Sequence, residues 1–205
     1  MGFNIIENER VYEETEKRSK FISYSFKVNG SGEAREKLGR VKSLHHSAKH
    51  HVYAYSIFPS EEKCSDDGEP SGTGGMPILN AIKSSGLKNV MVVVVRYFGG
   101  ILLGTGGLRR MYSSGACKVL EKSGSLKMQL CSDILVNCSY KQIGQISNII
   151  SEFKGKILDV DYLGSVSIKF YIKKDLTDLI MKKLENITCS KDKFKILSES
   201  YHEII

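Results

Sequence analysis

The first periodic signal along the chain is an alternation. Ile22, Tyr24, Phe26 and Val28 fall on one side of residues 20–28, the period of a β-strand. Gly30-Ser31-Gly32 interrupts it, after which Ala34, Leu38, Val41 and His45 recur at helical spacing. His51 to Phe58 is β-branched and aromatic enough to be the next strand. Gly, Ser, Pro and acidic residues fill 59–75, which reads as a loop. Pro77 suits a first helical turn, and Ile78, Leu79 and Ile82 follow before Gly86 ends that helix. Val90 to Phe98 is apolar on both faces, so it is expected at the centre of a sheet. A glycine-rich turn then leads into a helix carrying Leu108, Met111, Tyr112, Val119 and Leu120, closed by Gly124.

From about Lys127 the pattern changes. It predicts strand 131–138, helix 140–153, strands 156–162 and 165–172, helix 175–186 and strand 193–201. Ile143, Ile146, Ile149, Ile150 and Phe153 make one helical stripe, and Val166, Ile168, Phe170 and Ile172 alternate cleanly. Gly164 marks a hairpin between the two middle strands. The order βαββαβ is the ferredoxin-like arrangement, which by itself says little about chemistry. The expected fold class is therefore α+β with two domains, 1–124 and 125–205.

Composition narrows the function classes. Hydrophobic content of 41% and charged content of 26% are those of a globular chain. The longest apolar run, Val90 to Val95, is far short of the roughly 20 residues a membrane span needs. Glu7 and Glu9 near the start fit no secretory signal, so a cytoplasmic location is expected. Five cysteines without a C-x-x-C pair argue against a disulfide framework or a structural zinc site. The net charge of +7 is uneven: residues 1–124 hold 18 Lys/Arg and 13 Asp/Glu (+5), residues 125–205 hold 12 and 10 (+2). The excess suits an anionic partner and also suits simple solubility.

Three stretches can carry chemistry. Ser65-Asp66-Asp67-Gly68-Glu69-Pro70-Ser71-Gly72-Thr73-Gly74-Gly75 offers three carboxylates within four residues. Asp66, Asp67 and Glu69 can gather a hard cation such as Mg²⁺, or accept hydrogen bonds from backbone amides or an arginine and so shape the loop. In the second stretch, Arg96-Tyr97-Phe98 leads into Gly99, Gly100, Gly104, Gly106 and Gly107, five glycines in nine residues between a buried strand and a helix. Backbone N–H groups there can cradle a phosphate, with Thr105 as helix cap and Arg109 or Arg110 reaching the anion. Alternatively the glycines serve close packing and Arg96 pairs with the acidic loop. The segment is neither a Walker loop nor a dinucleotide fingerprint. The third stretch opens a strand at Ala48-Lys49-His50-His51, where His50 can be a ligand, a base or a hydrogen-bond post for the acidic loop. Cys64 beside that loop is a thiol whose acidic neighbours disfavour the thiolate.

Lys20-Phe21-Ile22, Ala48-x-His50 with Tyr53-Ala54-Tyr55, Asp66-Asp67-Gly68-Glu69-Pro70-Ser71-Gly72-Thr73, Val95-Arg96-Tyr97-Phe98-Gly99-Gly100-Ile101 and Leu103-Gly104-Thr105-Gly106-Gly107-Leu108 together resemble the YigZ/IMPACT family. The resemblance covers residues 15–122, and the tail looks like the second domain of bacterial members. It departs at Leu102, where the family usually has a basic residue, at Gly74 (usually Ala), and at Arg110-Met111-Tyr112 (usually Arg-Ala-Tyr). Arg109, commonly aliphatic in the family, either replaces the missing cation or faces solvent.

The resemblance implies a first domain with the left-handed βαβ fold of elongation factor G domain IV and a small-subunit ribosomal protein. It implies a second domain like domain V of that factor. It also implies a role in translation, since eukaryotic relatives act in translational control under amino-acid starvation. Those relatives carry a different accessory domain, so their partner does not transfer. The expected partners are thus the ribosome or structured RNA, with a translation-related protein as a further one. Arg96, Arg109, Arg110 and the glycines would face phosphates, while His50, Asp66, Asp67, Glu69 and Tyr97 would order the pocket. Two rival readings stand beside this: a Mg²⁺-dependent enzyme acting on a small phosphorylated substrate, and a protein-interaction module without nucleic acid.

Overall fold

The computed structural model describes residues 2–162, 165–190 and 193–204. Two strands precede the first alternating segment: β1 (Gly2–Ile6) and β2 (Arg10–Glu16). The chain continues as β3 (Ser19–Lys27), α1 (Ser31–Leu44), β4 (His50–Ile57) and β5 (Glu61–Ser65). Next come α2 (Gly75–Ser85), β6 (Val90–Tyr97) and α3 (Gly104–Ser123). The remainder is β7 (Ser125–Cys138), α4 (Ile143–Glu152), β8 (Lys156–Asp161), β9 (Val166–Lys173), α5 (Thr177–Thr188) and β10 (Phe194–Glu203). Single 3₁₀ turns, Tyr140–Gln142 and Lys174–Leu176, lead into α4 and α5.

The chain divides into two compact units, Phe3–Lys127 and Met128–Ile205, with Gly2 counted in the second. In the first unit an antiparallel sheet runs β2-β3-β6-β4-β5. Strand β6 is central and apolar on both faces for a visible reason. Val90, Val92 and Val94 pack with Ile78, Ile82, Tyr112 and Val119 of α2 and α3, while Met91, Val93 and Val95 pack with Ala34 and Val41 of α1. Helices therefore cover both faces of this sheet.

Three strands were not expected from the pattern. Residues 59–75 contain β5, whose start Glu61-Glu62-Lys63 is fully charged and exposed. At an edge of the sheet a strand has one paired side and an open face, so apolar alternation is not required and charges there discourage further pairing. The same argument covers β2, the opposite edge, with its three glutamates. β1 was also unanticipated. β7 begins at Ser125, six residues before the expected start at 131.

The second unit has the predicted βαββαβ order. Its strands lie β8-β9-β7-β10, all neighbours antiparallel, which is the ferredoxin-like sheet. Ile134, Val136, Ile168 and Phe170 on one face pack against Ile146, Ile150, Ile180 and Leu184 of α4 and α5. Gly164, the expected hairpin residue, lies outside the described residues.

Candidate functional site

The acidic loop, residues 66–74, is held by its own carboxylates, each with a different set of donors. α2 starts on glycines that offer no side-chain cap, and a helix start leaves N–H groups without partners. Asp66 supplies the acceptors from upstream: Oδ2 accepts Gly72 N–H (2.8 Å), and Oδ1 accepts Gly74 N–H (2.9 Å) and Gly75 N–H (2.8 Å). Burial works to raise the Asp66 carboxyl, but these three donors outweigh it and hold the group below the usual carboxylate range. Asp67 sits in the left-handed region (φ +43°) and ties together α1 and β4. Its Oδ2 accepts His51 N–H (2.7 Å), its Oδ1 pairs with Lys42 Nζ (3.0 Å), and its carbonyl accepts His50 Nδ1–H (3.0 Å). Against the rise that burial imposes, these donors lower its carboxyl as well.

Glu69 is buried, with Arg96 Nη1 donating to both its oxygens (2.8 and 3.0 Å) and Tyr112 Oη–H donating to Oε1 (2.7 Å). Burial, reinforced by the Glu69 charge, pushes the Tyr112 phenol far up, so it remains a donor. The three acids thus point to separate partners. Among the described residues no group of three or more His, Cys, Asp or Glu is arranged to hold a metal ion. Cys64 stays protonated, since burial and Asp66 raise its thiol.

The loop's anchoring gives two expected results. Replacing Asp66 with Ala strips three amides of their acceptor and should cost about 2 kcal/mol or more, read from urea unfolding. Asp66 and Asp67 have folded pKa values below the unfolded value of about 3.9. Their stabilisation is therefore present above about pH 4 and is lost as pH falls through the depressed folded values. Asp66→Asn should flatten that acid limb in unfolding curves collected from pH 2 to 6.

Arg96 has 6% of its surface exposed and lies near the rings of Phe21 and Phe98, its Cζ 5.7 and 5.5 Å from their centroids. Its charge is answered inside the protein by Glu69, and its Nε is buried without a partner. Its neighbour Tyr97 points to the opposite face of the sheet. There Tyr97 Oη meets His45 Nδ1 (2.8 Å), and His45 Nε2 meets Tyr24 Oη (2.6 Å). The structure therefore joins Glu69 to Arg96 and Asp67 to His50, and leaves Tyr97 in a separate cluster with His45.

The glycine segment is exposed and backbone-rich. Gly100 (φ +84°) and Gly104 (φ +74°) occupy the left-handed region open to glycine. At Gly99 a β-carbon would collide with the carbonyl group of Arg18, and Gly99 N–H donates to Ser19 Oγ (3.1 Å). This close approach brings in the β2–β3 turn, whose Lys17 and Arg18 (φ +44° and +64°) are exposed without carboxylate partners among the described residues. Arg110 Nη2 reaches Glu16 Oε1 at the same turn (3.2 Å), and Arg109 Nε donates to the Gly72 carbonyl (3.2 Å).

Thr105 does not cap α3. It lies inside the first turn, Leu103 is the cap residue, and no side-chain cap bond forms. That turn carries no acid, and Gly104, Thr105 and Gly106 are exposed. The start of α2 is closed by Asp66, whereas the start of α3 is open. Lys17 and Arg18 escaped the sequence reading because β2 did; the Lys-Arg pair between Glu16 and Ser19 was the available signal.

The second unit also brings together a serine, a histidine and an aspartate. Asp133 accepts from Ser198 Oγ (2.8 Å) and Ser200 Oγ (2.7 Å), and its Oδ1 lies 2.7 Å from His202 Nε2. Ser200 Oγ is 2.8 Å from that same Nε2. A nucleophile relay needs acid and serine on opposite ring nitrogens. Here both meet one nitrogen, and the serine proton goes to the carboxylate. The cluster ties β10 to β7.

Comparison with known proteins follows the same division of the chain. The Impact N-terminal domain model matches residues 17–120, and a domain of unknown function, DUF1949, matches residues 136–190. IMPACT family member YvyE of Bacillus subtilis is 33% identical over 180 residues, covering 87% of this chain and 83% of that protein. IMPACT family member YigZ of Escherichia coli is 34% identical over 157 residues, 75% of this chain and 77% of that one. Protein IMPACT of Mus musculus is 38% identical over 82 residues, only 25% of its length. A crystal structure described as that of a hypothetical protein superposes with a TM-score of 0.67 at 29% identity, over 96% of this chain and 97% of the other. With the matched domains and the bacterial relatives spanning most of its length, the chain belongs to the IMPACT family.

Proposed function

We propose that this protein binds structured RNA, the ribosome included, through the face where the β2–β3 turn meets the glycine segment, and so influences translation. The carrying observation is that Gly99 packs on Arg18 and Ser19 while Arg110 meets Glu16 of the same turn, which brings the exposed Lys17 and Arg18 to the glycine segment that leads into α3 with its exposed Arg109 and Arg110. Unpaired N–H groups at a helix start favour an anion, and exposed cations beside them neutralise phosphates. The Arg110–Glu16 pair is solvent-exposed and weak, about 0–1 kcal/mol, so a phosphate can displace the glutamate. In this reading Arg96 is a support for the loop, because its charge is already matched. A translation-related protein and a cytoplasmic location go with this proposal. The Mg²⁺-enzyme reading has less support, since the acids it needs are taken by protein donors.

The reading is tested by sedimenting the protein with ribosomes at rising salt, alongside Arg18→Glu/Arg109→Glu. Co-sedimentation that weakens steeply with salt and is lost in the variant is expected. Protein that stays soluble even at low salt would refute it.

A further inference from the structure

Phe98 has an unusual setting. It is 52% exposed at the end of β6, and Leu102 and Ile101, four and three residues on, are 81% and 41% exposed. Isolated apolar side chains on a surface need no explanation, but three within five residues beside a glycine segment form a patch. The ring is not loose. Arg96 Cζ lies 5.5 Å from its centroid and 5.7 Å from that of Phe21, which meets Tyr112 edge-on at 5.5 Å. Arg96 is itself fixed by both oxygens of Glu69. Phe98 is thus backed by a buried, hydrogen-bonded cation that also meets the buried Phe21 ring, while its own surface is 52% exposed. Immediately after Phe98, Gly99 packs on the backbone of Arg18, which brings the exposed Lys17-Arg18 turn next to this segment.

A flat aromatic face bordered by cations matches one ligand chemistry, an unpaired nucleobase on a phosphate backbone. Stacking serves any base, because every base has a π-face, while Lys17, Arg18 and Arg109 follow the phosphates. A protein partner would suit the apolar patch, but Lys17 and Arg18, exposed and without a carboxylate partner among the described residues, favour a polyanion. We infer that Phe98 is a base-stacking platform, and that the RNA recognised at this face presents an unpaired base from a loop, bulge or single strand. This rests on the RNA-binding reading above and specifies its target.

The protein has no tryptophan, so Phe98→Trp installs a single fluorophore at the platform. Titration with oligouridylate should quench its emission, and a matched RNA duplex should leave it nearly unchanged. Phe98→Leu keeps the apolar bulk and removes the stacking face. It should weaken oligouridylate binding by about tenfold and duplex binding by less than about twofold. Emission unaltered at saturating oligouridylate, or Phe98→Leu binding both RNAs as the wild type does, overturns the platform while leaving RNA binding intact. Wild type that binds neither RNA at low salt overturns the underlying reading as well and returns the patch to a protein partner.

Discussion

Replacing Glu69 with leucine should destabilise the first unit by about 3–5 kcal/mol, the cost of leaving a buried charge without its partner. Arg96 is only 6% exposed, so its Nη1 would lose both acceptors with little access to water in their place. Tyr112 would lose the acceptor of its hydroxyl at the same time. Nε already lacks a partner, which leaves little local compensation. Tyr112→Phe should cost less, about 1.5–3 kcal/mol, because it removes one hydrogen bond to a charged acceptor and keeps the ring packing. The double change Arg96→Met/Glu69→Leu should recover much of the loss, since a well-packed apolar pair of similar volume often equals a buried ion pair. Urea unfolding of these three variants, of Arg96→Met and of the wild type closes the double-mutant cycle for the pair. A Glu69→Leu protein as stable as wild type would mean that the pair does not hold the loop.

Gly99→Ala should also have a large effect. The added methyl collides with backbone, the carbonyl group of Arg18, and not with the yielding tip of a side chain. Either the β2–β3 turn moves or the segment after Phe98 does, at a cost of about 1–3 kcal/mol or more. Movement of that turn also scatters the cations, so RNA affinity should fall with stability. Gly106 is the control. It lies in α3 with open space where a β-carbon would go, so Gly106→Ala should stabilise the helix by about 0.5–1 kcal/mol. Thermal melting and RNA binding of the two variants side by side separate a packing requirement from mere glycine content.

What the sequence disclosed and what it hid follow from burial. β6 was readable because both its faces are covered, so its apolar run had no alternative. α4 was readable because one stripe faces one sheet. β2 and β5 were not, since an edge strand satisfies its backbone on one side and leaves charged residues in water. Missing β2 hid the turn at Lys17 and Arg18, and with it half of the cationic face. Within the acidic loop the residue types announced hydrogen bonding or metal binding, but for two of the acids the donors come from 16 to 43 residues away, as for Asp67 with His51 and Glu69 with Arg96 and Tyr112. Periodicity carries no information about such pairings. The sequence offers Thr105 as a candidate cap because Thr is a good cap residue; the left-handed Gly104 starts the helix earlier and leaves Thr105 inside it.

The most direct test of the central claim is the salt dependence of RNA binding by the intact chain, compared with Lys17→Ala/Arg18→Ala. Each neutralised phosphate contributes about 0.7–0.9 to the slope of log K against log salt, so four cations predict a slope near −3 and the double variant a slope smaller by about 1.5. A flat salt response, or a variant with the wild-type slope, would contradict the account and remove the β2–β3 turn from the interface.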